Sequence, residues 1–411
     1  MLINFKFKNF KTFKEETEFS FIKGQKRELS NHIIKFNNKY NLLPIKVVYG
    51  SNASGKTNLL LAFQVLKRSI IGKSIRFDKD DFVGLCPNFD SLKDYETPIE
   101  FELTFTIDEN KYQYILSFIN YYKSMESEIV IEKLLENDKI VFFRNKGKVK
   151  LSDDEDIINE HYKLLLEKNN MNLILEMLEN NINKTDTFTK WYSNIDNKLC
   201  EKIFKYFLNM TTITDLEDFK INDYIKIENK DKLYEDKRIN KLLNELKVGK
   251  EKLCFKSDEN GVVNNFISYK SDVDNLHITA PINTVESKGT IKMIDLLYPI
   301  INSLENGSPI FIDELDASIH HEIIYNIIQT FGDPSVNKKG AQLVFTTHNP
   351  VYLNKNLLRR DEIVFIEKDK KGSHLNTLEN YNLRNDEVYL KNYLNGNYTI
   401  LPNFDLNNII E

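Results

Sequence analysis

An α/β fold is what this sequence predicts: a mostly parallel core sheet with helices, an antiparallel β subdomain beside it, and a helical insertion. Three observations predict it. Ile45-Lys46-Val47-Val48-Tyr49 is a β-branched apolar run that opens into Gly50-Ser51-Asn52-Ala53-Ser54-Gly55-Lys56-Thr57-Asn58, and a helical pattern follows at Leu59, Ala62, Phe63, Leu66 and Ile70. Pro309-Ile310-Phe311-Ile312 is a second buried-strand pattern, ending in Asp313-Glu314. Between them, residues 99–144 alternate as an antiparallel meander, after which the pattern turns helical. The expected organisation is an N-terminal lobe over residues 1–150, a helical insertion over 151–245 and a C-terminal lobe over 246–411.

The elements follow in order. Residues 1–22 read as a hairpin, with one strand through Phe5 and Phe7 and another from Thr17 to Ile22; residues 23–44 read as irregular. Strands are expected over Ile99 to Ile107, Lys111 to Ile119, Glu128 to Leu135 and Lys139 to Arg144, and Arg144 to Lys150 reads as a solvated basic hairpin. In the insertion, Trp191, Ile195, Leu199, Ile203 and Phe207 recur every fourth residue, as core positions of a helix do. Ser287-Lys288-Gly289-Thr290 starts a helix that Asn306-Gly307 ends. Ile319, Ile323, Ile327 and Phe331 mark another helix. Leu343 to Thr347 is a buried strand ending at His348, and a last hairpin turns at Lys368 to Gly372.

The 411 residues carry a net charge of −5, which argues against a surface coated for non-specific nucleic-acid binding. No apolar run has the length of a membrane span, and the alternating N-terminus has no signal-peptide pattern. Cys86, Cys200 and Cys254 are far apart and unpatterned, so neither a disulfide framework nor a zinc site is expected. A cytoplasmic location fits.

The chemistry concentrates in four places. Gly50 and Gly55 let backbone N–H groups of residues 50–58 curl around phosphates at a helix start, where the dipole adds positive charge. Lys56 is placed to reach β- and γ-phosphates, and the Thr57 hydroxyl to ligate Mg²⁺. Asp313 would hold the same Mg²⁺, and Glu314 would orient or deprotonate an attacking water. His348, at the end of the next strand, is either a γ-phosphate switch or a structural histidine. Ser287, Lys288, Gly289 and Thr290 are either a second anion site, completing a partner's cradle across a dimer, or an ordinary N-cap. Asp316 and Ser318 either sense that partner or cap the helix that follows.

These segments together resemble the ABC-type ATPase heads shared by RecF, SMC-like proteins and the overcoming-lysogenization-defect nucleases. Within that group they are most similar to the AAA-family ATPases of bacterial anti-phage operons of the RloA type, relatives of the ATPase subunits of the PARIS and abortive-infection L systems. The resemblance is carried by Gly50 to Thr57, Glu286 to Thr290, Ile312 to His320, Lys339 to His348, Arg359 to Lys368, and the tail Tyr393 to Tyr398 with Pro402. It implies a P-loop NTPase of the ABC-type head class that uses ATP and Mg²⁺. It implies slow hydrolysis in composite sites of a homodimer or larger homo-oligomer. It further implies a separately encoded effector, such as a TOPRIM or RloB-like nuclease or a toxin, a phage protein as trigger, and no membrane. Residues 349–411 leave too little chain for a nuclease domain of its own. A RecF-like DNA-repair or DNA-loading ATPase is the alternative, and DNA contact stays open; an ATP-gated scaffold with negligible turnover is a third reading. The sequence departs from the family at Lys288, where an acid is usual, and offers only Gln64 and Gln113 for the usual lever glutamine.

Overall fold

The computed structural model describes residues 1–37, 39–71, 97–121, 126–162, 182–193, 198–214, 233–245, 252–258, 263–270, 277–317, 319–381, 383 and 387–398. The N-terminal alternation forms β1 (Leu2–Lys8), which buries Leu2, Phe5 and Phe7 and pairs antiparallel with β2 (Thr17–Ser20). The stretch expected to be irregular contains a small hairpin, β3 (Ile34–Phe36) and β4 (Tyr40–Leu42). β5 (Ile45–Gly50) is buried at every position and leads to α1 (Lys56–Ile71).

The meander is β6 (Ile99–Ile107), β7 (Asn110–Tyr121), β8 (Glu126–Glu136), β9 (Lys139–Asn145) and β10 (Lys148–Leu151). With the N-terminal hairpin it makes a seven-stranded antiparallel sheet in the order β10-β9-β8-β7-β6-β1-β2. Arg144 is not solvated: it is 1% exposed, and its guanidinium donates to the carbonyls of Lys146 (2.7 Å) and Asn183 (3.2 Å).

The described part of residues 151–245 does not form a separate helical insertion. After α2 (Phe188–Ser193), α3 (Lys198–Asn209) buries Leu199, Ile203 and Phe207 in the core of the antiparallel sheet, with the Phe207 ring 5.5 Å from Phe105. β11 (Thr211–Ile213) then pairs parallel with β16 (Pro309–Ile312) and so belongs to the core sheet. Of the every-fourth-residue stripe, Leu199, Ile203 and Phe207 are core and Trp191 packs against it, but it is the core of the head; Ile195 lies outside the described residues. Residues 163–181, 194–197 and 215–232, where the rest of the expected insertion falls, lie outside the described residues.

Glu132 staples this region down. It is fully buried and accepts from the N–H groups of Phe188 (2.6 Å) and Thr189 (3.0 Å) and from the Tyr114 hydroxyl (2.5 Å), with Arg144 3.7 Å away. Removing one partner of a buried pair strands the other charge and, here, two helix-start N–H groups. Glu132→Ala is expected to destabilise the fold by about 3 kcal/mol or more, read as a lower urea midpoint; an unchanged midpoint would contradict this account.

The chain continues through β12 (Tyr234–Glu235), α4 (Lys237–Glu245), β13 (Lys252–Ser257), β14 (Val263–Lys270) and β15 (His277–Pro281), whose strands form a four-stranded antiparallel sheet. Next come α5 (Lys288–Asn306) and, after β16, α6 (His321–Gly332), β17 (Gln342–Thr346), β18 (Ile363–Asp369), β19 (Gly372–Thr377) and α7 (Tyr389–Leu394). Gly307, at φ 68, caps α5 as the Asn-Gly pair foretells.

The core sheet runs β11-β16-β17-β5-β18-β19, parallel except for β19. Its C-terminal edge is where open α/β sheets place ligands, and Gly50, Asp313 and His348 all sit at or just beyond it. Phe63 of α1 joins the two sheets, with ring centroids 4.1 Å from Phe5 and 4.3 Å from Phe311. Among the described residues no helix is long and apolar enough to cross a membrane.

Candidate nucleotide site

β5 ends at Gly50 and α1 begins at Lys56, so residues 51–55 carry the turn. A Cβ on Gly50 would lie 2.6 Å from the Ile366 carbonyl oxygen; on Gly55, at φ +117, it would lie 2.7 Å from Thr12 Oγ1. Only glycine fits either place. Ala53 adopts φ 60. Among the described residues the N–H groups of Asn52, Ala53 and Gly55 find no acceptor. A run of unpaired donors in such a turn at a helix start is an anion cradle. Lys56 folds over it, 7% exposed, with Nζ donating to the carbonyls of Gly50 (2.9 Å) and Ser51 (3.1 Å). Desolvation lowers its pKa, while Asp313 and Glu314 pull it back up.

The acids come to the same place. Asp313 is held at the end of β16 by its N–H, which donates to the Ile213 carbonyl (2.8 Å). Its carboxylate accepts from the Thr57 hydroxyl (2.6 Å) and from the Thr346 hydroxyl. Thr346 Oγ1 in turn accepts from the N–H of Glu314 (2.8 Å), whose φ of 46 turns the chain sharply and leaves the side chain exposed. Thr346 thus ties β17 to both acids. Sequence reasoning passed over it; the one signal was its place in Thr346-Thr347-His348.

His348 follows β17 and is exposed. Partial desolvation, then the Lys56 cation, lower its pKa against the pull of Glu314, Asp316 and Asp313. That favours a neutral imidazole able to accept or donate one hydrogen bond. Behind it, the Tyr49 hydroxyl donates to the Asn349 carbonyl (3.3 Å), linking the cradle's strand to the segment after His348.

The other expected site residues fall elsewhere. Asn58 donates its amide to Thr12 Oγ1 (2.9 Å) and so braces the cradle from outside. Ser287 caps α5, accepting from the Thr290 N–H (3.2 Å) with the two hydroxyls 2.9 Å apart; Ser287 and Lys288 are exposed, Gly289 and Thr290 half-buried. Among the described residues no hydrogen bond joins this turn to the cradle of its own chain. Asp316 is half-buried beside the acids. Ser318 lies outside the described residues, and His320, not Ser318, caps α6, its Nδ1 accepting from the Glu322 N–H (3.3 Å). Gln113 bonds Glu102 on the antiparallel sheet (2.7 Å), remote from this chemistry.

The donor set fits the groups the motif implies. Thr57 and Asp313 bring together a hydroxyl and a carboxylate, hard oxygen donors suited to Mg²⁺. The cradle's free N–H groups with Lys56 suit a polyphosphate. A search of curated proteins finds no match. A family model does match, described as "AAA domain, putative AbiEii toxin, Type IV TA system", over residues 45–354. That span is well over half the chain and holds the cradle, both acids, the Ser287 turn and His348, so the chain belongs to this AAA-domain family of nucleotide-hydrolysing proteins.

Proposed function

We propose that the chain is an ATPase of the ABC-type head class, of the RloA kind, that closes as a homodimer over shared ATP in an abortive-infection type of anti-phage defence. The observation that carries this reading is a half-site and its missing complement. One copy presents a cradle, a hydroxyl–carboxylate pair for Mg²⁺ and a strand-end glutamate, while its second anion-suited helix start, at Ser287, bonds to none of them. A second copy supplies that helix start, with Asp316 at the same seam. In each site the N–H groups and Lys56 hold the phosphates, and Thr57 and Asp313 hold the metal, which neutralises phosphate charge when bound. Glu314 takes the proton of the attacking water as the γ-phosphorus–oxygen bond to ADP breaks, and neutral His348 orients that water. The family description, with its toxin and toxin–antitoxin system, supports a defence setting in which a separately encoded effector is held or released by ATP turnover.

Trans-acting sites predict complementation. Lys56→Ala and Ser287→Arg are each expected to be inactive, and mixing them is expected to restore phosphate release. The heterodimer joins one intact cradle to one intact Ser287 turn. A mixture as inactive as its components would overturn the shared-site reading.

A further inference from the structure

Three chain segments interlock behind the cradle. The hydroxyl of Ser373 donates to the Ser54 carbonyl (2.5 Å), the Ser373 N–H donates to the Thr12 carbonyl (2.8 Å), and Thr12 Oγ1 accepts from Asn58 in the first turn of α1 (2.9 Å). Ser373 is 3% exposed. The approach is close enough to need glycine twice. A Cβ on Gly372, at φ +119, would sit 2.7 Å from the Thr12 carbonyl oxygen, and one on Gly55 would sit 2.8 Å from Ser373 Oγ. Thr12 and Ser373 both lie outside residues 45–354, the span the family model covers.

The consequence follows from peptide geometry. Ser54 C=O and Gly55 N–H belong to one peptide unit, and the described chain has no cis bonds, so the two groups point in opposite directions. Whatever holds the carbonyl outward aims the N–H inward. Gly55 resists rotation of that unit less than any other residue would, so the unit needs an external hold. We propose that Ser373 is a positioning residue for the phosphate cradle: its hydroxyl anchors the Ser54 carbonyl at the back of the loop and thereby points the Gly55 N–H at a bound phosphate. The tip of the β18–β19 hairpin is part of the nucleotide site although it touches no nucleotide. This inference rests on the nucleotide reading above.

The test compares ATP and inorganic tripolyphosphate binding, by calorimetry, on the full chain. Ser373→Ala is expected to weaken both ligands by about tenfold, the worth of one well-placed hydrogen bond. In turnover the loss is expected to fall on KM for ATP more than on kcat, because Ser373 acts through the loop and not on a reacting atom. Ser373→Thr, which keeps the hydroxyl, is expected to bind both nearly as wild type does. Unchanged affinity in Ser373→Ala would overturn the inference, as would a loss for ATP alone, which would place Ser373 at the base instead. Should Ser373→Ala also melt earlier, Ser373→Thr decides: restored affinity supports the anchor, and lost affinity overturns it. A wild-type chain that binds neither ligand would instead defeat the nucleotide reading itself.

Discussion

Lys56→Ala is expected to abolish measurable ATP binding while leaving the protein folded. The Lys56 ammonium sits inside the cradle, and the groups it satisfies are two backbone carbonyls of the loop, those of Gly50 and Ser51. Alanine is a strong helix former at the first residue of α1, and no ion pair is broken among the described residues. The fold therefore loses little. The site loses its one in-cradle cation, a preorganised donor whose removal costs roughly 10²-fold or more. Fluorescent-nucleotide titration beside a melting curve checks both halves. A variant that still binds ATP within a few-fold of wild type would show that this loop does not hold phosphate.

Glu314→Gln separates binding from chemistry. Glutamine keeps the length and shape of the side chain, and the backbone turn at φ 46 is held through the Glu314 N–H to Thr346, which the change leaves alone. What goes is the base. Hydrolysis is expected to fall by about 10²–10⁴-fold, the usual contribution of a positioned proton acceptor. ATP affinity should hold or rise, because one negative charge near the phosphates has been removed. On the proposed shared-site reading, a nucleotide that is bound and not consumed would keep two copies together, so dimer lifetime should lengthen in ATP. Phosphate release under single-turnover conditions and size-exclusion chromatography with ATP read the two effects. Normal hydrolysis in this variant would remove Glu314 from the mechanism.

What could be read from the chain and what could not divide along a physical line. Gly50, Gly55 and Lys56 were legible because backbone demand and spacing are local. Asp313 and Glu314 were legible because four apolar residues of a buried strand precede them, and Ser287 because an N-cap is written within one turn. The place of Thr211–Ile213 was not legible: three residues show no period, and the strand that recruits them lies about a hundred positions on. Arg144 read as solvated because two of its acceptors, on Asn183 and Asp186, come from a distant segment. Thr12 lies in a turn and Ser373 just past one, in β19, but their meeting behind Gly55 is tertiary. Thr346 hid in plain view inside a strand, since its two hydrogen bonds depend on the register of β16 against β17.

The placement of β5 between β17 and β18 bears on how the molecule is made. Both neighbours are translated some three hundred residues after the glycine-rich turn, so a nascent chain carries that turn on a strand with no sheet to join. Closing so large a loop is entropically costly and slow, and the anchoring hairpin tip is later still. A nascent chain therefore cannot seat the glycine-rich turn in its sheet until β17 and β18 have been made.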